Sequence, residues 1–297
     1  MSIGVGRVVA KPLFQKVVIF GVGLIGGSFS LALRSKHAVG EVVGFGRSLQ
    51  TLAQAQQLGI IDRSGSDLAT ELGDADLVFL ATPVGQMPEI MARIAPHLGT
   101  HTVVMDGGST KCDVVGYAYK HLAESVAHFV PAHPIAGGEK SGATAARADL
   151  YQNKKVVITP MPENSAATIA RIREAWEVCG ASVSELTPKQ HDEVFAAVSH
   201  LPHLLSFALV HGLVKRENHD LLLSFAASGF RDFTRIAASS PEMWRDICLA
   251  NRDTLLVEMG RYEEELSALR DALSEADGER LGEIFNVAHA ARSKWTP

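Results

Sequence analysis

Residues 16–28 read KVVIFGVGLIGGS. Four apolar residues, Val17 to Phe20, are followed by three glycines at G-x-G-x-x-G spacing, Gly21, Gly23 and Gly26, and then by an apolar helical pattern. A strand that turns at once into a helix needs each glycine for its own reason. Gly21 permits the tight turn, Gly23 lets backbone approach a ligand, and Gly26 lets helix and strand pack closely. The start of that helix, at Leu24, Ile25 and Gly26, then offers backbone N–H groups and the positive end of the helix dipole. Such a site suits a pyrophosphate, so the run implies a bound dinucleotide. The plainer alternative is a tight strand–helix turn with no ligand.

The pattern continues outward. Runs rich in β-branched residues recur at EVVGFG (41–46), DLVFLAT (76–82), TVVMDGG (102–108), HFVPAHP (128–134) and KVVITP (155–160), with helical stretches at 24–36, 48–57, 84–97 and 110–123. Strands apolar on both faces and separated by helices predict a parallel sheet covered on both sides. After Thr187-Pro188 the strand-like runs stop. Residues 189–214 are apolar on nearly every side (Val194, Phe195, Val198, Leu201, Leu204, Leu205, Leu209, Val210), which predicts a buried helix kinked at Pro202. Leu255, Met259, Tyr262, Leu266, Leu269 and Leu273 step by 4, 3, 4, 3, 4 beside Glu258, Glu263, Glu264 and Glu265. That spacing describes a helix packing along one long seam, within the chain or, as preferred here, against a second copy. The expected fold is α/β: a Rossmann-like dinucleotide-binding domain over 1–187, then an all-helical dimerisation domain over 188–297.

Composition narrows the function. The chain has 297 residues, 46% hydrophobic and 21% charged, which is ordinary for a globular protein of about two domains. Lys+Arg 28 against Asp+Glu 33 leaves −5, a poor match for nucleic acid or an anionic membrane. Cys112, Cys179 and Cys248 are odd in number and far apart, which fits a reducing compartment better than disulfides or zinc. The first 16 residues lack a long apolar segment, and no run approaches 18 uninterrupted apolar residues. A cytoplasmic protein with a small-molecule substrate and no membrane or nucleic-acid partner is expected. His200 and His203 have i,i+3 spacing that would suit a metal, but no acidic motif accompanies them, so no metal is expected.

Sites for NAD usually place an acid about 20 residues beyond the glycine loop, where it binds the ribose 2′-hydroxyl. Here Gly46 stands in that place and Arg47-Ser48 follow. No carboxylate repels a 2′-phosphate, and a cation and a hydroxyl are at hand. NADP is therefore expected to be accepted and favoured over NAD, unless Arg47 is merely solvated. Thr82-Pro83 ends another strand at the same sheet edge, where Thr82 either touches the cofactor or caps the next helix.

Two further strand ends carry polar residues, DGGSTK (106–111) and HPIAGGEKSG (133–142). Ser109 and Thr110 could be helix caps. His133 could be a structural histidine or a general base, the usual work of a group with near-neutral pKa. These runs, with GVGLIGGS (21–28), ATPV (81–84), SHLPH (199–203), SGFRDFTRIA (228–237) and PEMW (241–244), resemble the prephenate/arogenate (cyclohexadienyl) dehydrogenases of tyrosine biosynthesis. The motifs stand in that family's order over residues ~16 to ~250.

The resemblance implies an oxidative decarboxylation, in which a cyclohexadienyl ring gives hydride to the nicotinamide of NAD or NADP and loses CO2 as it becomes aromatic. It implies that His133 takes the proton of the ring 4-hydroxyl and that Ser109 orients both. It assigns Arg235 to a substrate carboxylate, His203 to the substrate, and, as weaker carry-overs, Arg231, His191 and Trp244 to the same pocket. Many relatives carry a hydroxyl residue where this chain has Gly138, which bears on the choice between prephenate and arogenate. Neither an added mutase nor a regulatory domain is expected. Two other readings compete: another Rossmann-plus-helical dehydrogenase, of 3-hydroxyacid or imine type, and a non-catalytic dinucleotide sensor. The first would lack SGFRDFTR together with HPIAGGEKSG. The second would not need His133, Ser109 and Arg235 together.

Overall fold

The computed structural model describes residues 11–138 and 140–296; the N-terminal ten residues and Glu139 of the HPIAGGEKSG run lie outside them. Strand β1 (Phe14–Phe20) leads through the glycine loop into α1 (Leu24–Ser35), and β2 (Val39–Phe45) pairs parallel with β1. Helix α2 (Leu49–Gln57), the two-residue β3 (Arg63–Ser64), α3 (Leu68–Leu72), β4 (Leu77–Leu80), α4 (Met87–Ile94), β5 (Val103–Asp106), α5 (Cys112–His121) and β6 (Phe129–Val130) follow. The six strands form a parallel sheet in the order β3-β2-β1-β4-β5-β6, the doubly wound order of dinucleotide-binding folds.

Successive residues of β1 explain why the sheet is covered twice. Val17 and Ile19 face a core with Phe29, Phe79 and Trp176, while Val18 and Phe20 face a second core with Val78, Leu80, Met87 and Met91. Strand side chains alternate between faces, so an unbroken apolar run needs helices on both.

The run HFVPAHP, expected as one strand, is split. Pro131 has no N–H to donate to a ladder. β6 ends before it in the main sheet, and β7 (Ala132–Pro134) begins after it in a second sheet. There β7 pairs antiparallel with β8 (Lys155–Ile158), and beyond α6 (Ala166–Val178) β9 (Ser182–Glu185) pairs parallel with β8. β3 and β9 are short and partly exposed, and no apolar run marked them.

From Thr187 onward the described residues are helical. Thr187 caps α7 (Pro188–Phe195) in a reciprocal capping box with Gln190. One π-helical turn (Ala196–His200) joins α7 to α8 (Leu201–Val214). The irregularity falls just before Pro202, which sits in the first turn of α8, where its missing N–H costs little. By length and composition alone, Pro188–Val214 could cross a membrane, but His191 and Asp192 on α7 are buried against the α/β domain. Then come α9 (His219–Ser224), α10 (Ser228–Thr234), a 3-10 turn (Arg235–Ala238), α11 (Pro241–Ala250), α12 (Arg252–Ser274) and α13 (Gly278–Lys294).

The expectation that 189–214 is buried all round is not met: Phe195 and Ala196 are buried, but Val194 and Val198 beside them are exposed. On α8, Leu201 and Ser206 are buried, whereas Leu209 and Val214 are exposed. The heptad seam of α12 is likewise divided: Leu255 is buried within the chain, while Leu266 and Leu273 face outward.

Candidate active site

The glycine loop takes the shape its spacing implies. Gly21 has φ +94°, and a Cβ there would lie 2.5 Å from the Ala81 carbonyl oxygen. A Cβ on Gly26 would meet the Gly21 carbonyl oxygen at 2.2 Å, so this crossing of strand and helix admits no side chain. At Gly23 the space is open, with Gly142 N the nearest atom at 4.0 Å. Gly23 is also the N-cap of α1 and supplies no side-chain cap, and the first turn holds no acid. The N–H groups of Leu24, Ile25 and Gly26 thus begin a helix with no anion of its own. Thr82, beside Gly21 and next to Pro83 at the end of β4, has a buried Oγ1 with no hydrogen-bond partner. An open cradle, a bare helix start and an orphaned hydroxyl on one sheet edge fit a dinucleotide phosphate group.

The ribose end is more exposed. Ser48 caps α2, accepting a hydrogen bond from Thr51 N–H at 3.2 Å. Arg47 is exposed, and among the described residues no acid pairs with it.

Two buried acids place the chemistry. Asp106, at the end of β5, accepts from Gly108 N–H (2.7 Å) and from Ala132 N–H (3.0 Å), and it is ion-paired with the fully buried Lys111. It thereby ties the DGGSTK loop to the start of β7, where His133 stands. Asp192 on α7 accepts from the N–H groups of Lys111 and Cys112, at 2.8 Å each, and docks the helical domain on the start of α5. His133 Nδ1 lies 2.8 Å from His191 Nε2, and His191 Nδ1 lies 2.8 Å from Asp192 Oδ1. The Phe195 ring packs edge-on to the His133 imidazole and tilted against that of His191.

Burial, followed by the electrostatic effect of His191, Lys111 and His200, holds the pKa of His133 well below 6.5. Burial also lowers His191, although Asp192 opposes it. His200 is pushed down to about 4, chiefly by burial. These imidazoles are neutral at pH 7, the form that can accept a proton.

His133 opens on a cavity of about 1020 Å³ between the two domains. Its wall includes Leu24, Gly138, Lys140 and Arg147 from the α/β side, and Phe195, Ser199, His203, Arg235 and Trp244 from the helical side. His203 stacks on Trp244 with ring centroids 3.6 Å apart, and its Nδ1 is 2.9 Å from the Ser199 carbonyl oxygen. Burial and then, against the hydrogen bond to Ser199, the charge of Arg235 keep His203 below its usual pKa. His133, His203, Arg235 and Trp244, expected from separate motifs, therefore meet at one cavity.

Two substrate-binding expectations are corrected. His191 is fully buried with both ring nitrogens engaged, so it presents no face to a ligand. Arg231 points outward from α10, 77% exposed and 3.5 Å from its neighbour Asp232, outside the cavity wall. Ser109 sits partly buried at the end of β5, where its backbone acts on His200; the serines on the cavity wall are Ser199 and Ser239. Sequence reasoning passed over Asp192, Lys111 and Asp106. Their signal, acids and a lysine inside runs with few other charges, marks burial only once the partner is known.

A doubly wound sheet with this phosphate cradle, facing a histidine-lined cavity, defines a nucleotide-binding dehydrogenase of the Rossmann class. Residues 29–185 match the family model of the prephenate dehydrogenase nucleotide-binding domain, and residues 187–287 that of the prephenate dehydrogenase dimerization domain. The chain belongs to the prephenate dehydrogenase family. It is 36% identical over 275 residues to prephenate dehydrogenase of Bacillus subtilis, covering 92% of this chain and 74% of that protein. It is 34% identical to cyclohexadienyl dehydrogenase of Zymomonas mobilis, covering 94% and 96%. The structure matches prephenate dehydrogenase of A. aeolicus, solved with hydroxyphenyl propionate and NAD+, with a TM-score of 0.86, 35% identity, and 94% and 98% covered.

Proposed function

We propose that the protein oxidatively decarboxylates prephenate, arogenate or both, giving 4-hydroxyphenylpyruvate or tyrosine. The observation that carries this reading is the meeting of His133, His203, Arg235 and Trp244 on one cavity beside the phosphate cradle. A bound NADP or NAD supplies the hydride acceptor.

The chain's own residues orient the ring and manage charge. Neutral His133 accepts the proton of the 4-hydroxyl as the ring becomes aromatic. The Arg235 guanidinium suits a substrate carboxylate, in a cavity that a net-negative chain must make locally cationic. His203, held by Ser199 and Trp244, contacts the substrate, and Trp244 walls the ring's side. Ser109 is assigned to the substrate hydroxyl on the resemblance alone. Gly21, Gly23, Leu24, Ile25, Gly26, Thr82 and Pro83 hold the dinucleotide.

The division at 187/188 is supported by the strand-free stretch that follows. The protein is assigned as a cytoplasmic homodimer. Three free cysteines and the dimerization-domain match support that assignment.

The test supplies prephenate or arogenate with NADP or NAD and follows reduced nicotinamide and CO2. Absence of turnover in all four pairings sinks the proposal. Arg47 is assigned to the 2′-phosphate, so Arg47→Ala should lower kcat/KM for NADP by about 10- to 100-fold, the worth of a charged hydrogen bond, and leave NAD unchanged. A strong NAD preference that Arg47→Ala does not alter defeats that assignment.

A further inference from the structure

We propose that His191 and Asp192 are positioning residues that force His133 into the tautomer with its Nε2 lone pair directed at the reacting hydroxyl. The proposal rests on reading His133 as the base.

The chain of donors and acceptors allows one order. Asp192 takes two backbone N–H groups and a ring nitrogen, from Lys111, Cys112 and His191, each at 2.8 Å. Burial works to raise its pKa, but the His191 hydrogen bond and those N–H groups prevail and hold it below the usual carboxylate value. An ionised carboxylate only accepts. The hydrogen facing it must therefore be His191 Nδ1–H. A neutral imidazole carries one N–H, so His191 Nε2 has a lone pair. That lone pair meets His133 Nδ1 at 2.8 Å, and two facing lone pairs there would leave both unsatisfied in a buried place. His133 must then donate from Nδ1. Its Nε2 is left as the acceptor on the side of the cavity. The opposite order would set a ring lone pair against the Asp192 oxygens.

The surroundings preserve this order. The ring centroid of Phe195 lies 4.8 Å from that of His133 and 4.5 Å from that of His191, shielding the two rings from water. Lys111, the cation that acts on both imidazoles, is itself paired with Asp106 and disfavours a proton on either in the resting state.

In the reaction the substrate O–H bond breaks and a His133 Nε2–H bond forms. The gained charge is a histidinium. If the Nδ1 proton of His133 passes to His191 Nε2, that charge comes to rest on His191, hydrogen-bonded to Asp192, and His133 is neutral again. Atoms and charge balance in either form. Because Asp192 is anchored on the N–H groups that open α5, the relay spans the domain boundary, and the docking of α7 on α5 sets the base.

The test uses the full chain with 15N-labelled histidine. In the wild type, the His133 signals should show Nδ1 protonated and Nε2 bare at pH 7.5; a protonated Nε2 overturns the proposal whatever the variants do. His191→Phe should lower kcat by about 100-fold, within the range of general-base contributions, mix the His133 tautomers and leave dinucleotide affinity unchanged. His191→Gln, whose amide oxygen can accept the Nδ1 proton, should recover part of the rate. His133→Asn separates the two readings. Wild-type kcat in His133→Asn removes the base and the relay with it. An inactive His133→Asn beside a His191→Phe variant with wild-type kcat and an unchanged His133 tautomer removes the relay alone.

Discussion

The α/β half and the helical half handle their apolar residues differently. In the α/β half, Val17, Val18, Ile19, Phe79 and Trp176 are sealed within the chain. In the helical half, Phe225 is 80% exposed and Val287 73%, with Leu256, Val257, Leu266 and Phe285 also exposed. A sheet with helices on both faces closes its own core. A helix apolar on several sides needs cover on each, and neighbours within this chain cover only some. The first half is thus closed within the chain, and the second leaves apolar surface that this chain does not cover.

The largest expected effect tests the scaffold. Gly21→Val places a side chain at φ +94° against a backbone oxygen, where left-handed strain alone costs roughly 1–3 kcal/mol. Dinucleotide affinity should fall by more than about 100-fold and Tm should drop, whereas Gly116→Ala, inside α5 with nothing near its Cβ, should leave affinity unchanged and raise Tm slightly. Binding by Gly21→Val at wild-type strength would show that the loop is not the closed turn described.

Next in size is assembly. The wild type should sediment at twice the chain mass, and Val257→Glu with Phe285→Glu should yield monomers that remain folded by circular dichroism. A monomeric wild type would end the contrast between the halves.

The smallest effect concerns the seam between them. His133, His191, His200 and His203 all have folded pKa values below the unfolded value of about 6.5. Below that pH the unfolded chain binds more protons than the native one. Stability should therefore be full above pH ~6.5 and decline as pH falls towards the His200 value of about 4, each unit of separation contributing about 1.4 kcal/mol. A Tm that stays flat from pH 8 to pH 5 would show that the seam is more open to water than its burial indicates.

Much of the first half was legible because local rules govern it. The glycine spacing, the β-branched runs and the absent acid at Gly46 all act within a few residues. Pro131 carried a visible signal too, since a residue without N–H cannot continue a ladder. His191 was misassigned for a different reason. A His-Asp pair on a helix reads the same whether the imidazole faces a ligand or another histidine, and α7 must be docked before the two can be told apart. Arg231 and Arg235 are four residues apart in SGFRDFTR, yet the change from α10 to a 3-10 turn sends one outward and the other to the cavity wall.

The sequence by itself determined the dinucleotide cradle, most of the strands and helices of the α/β half, and the polar residue types that line the cavity. Periodicity and glycine placement are local, and they survive without a partner. Tertiary structure alone decided which histidine lines the cavity and which stands behind it, because that depends on atoms 58 residues apart approaching to 2.8 Å. It also decided that Lys111 and Asp192 are buried, since a charge enters an interior only where a partner waits for it.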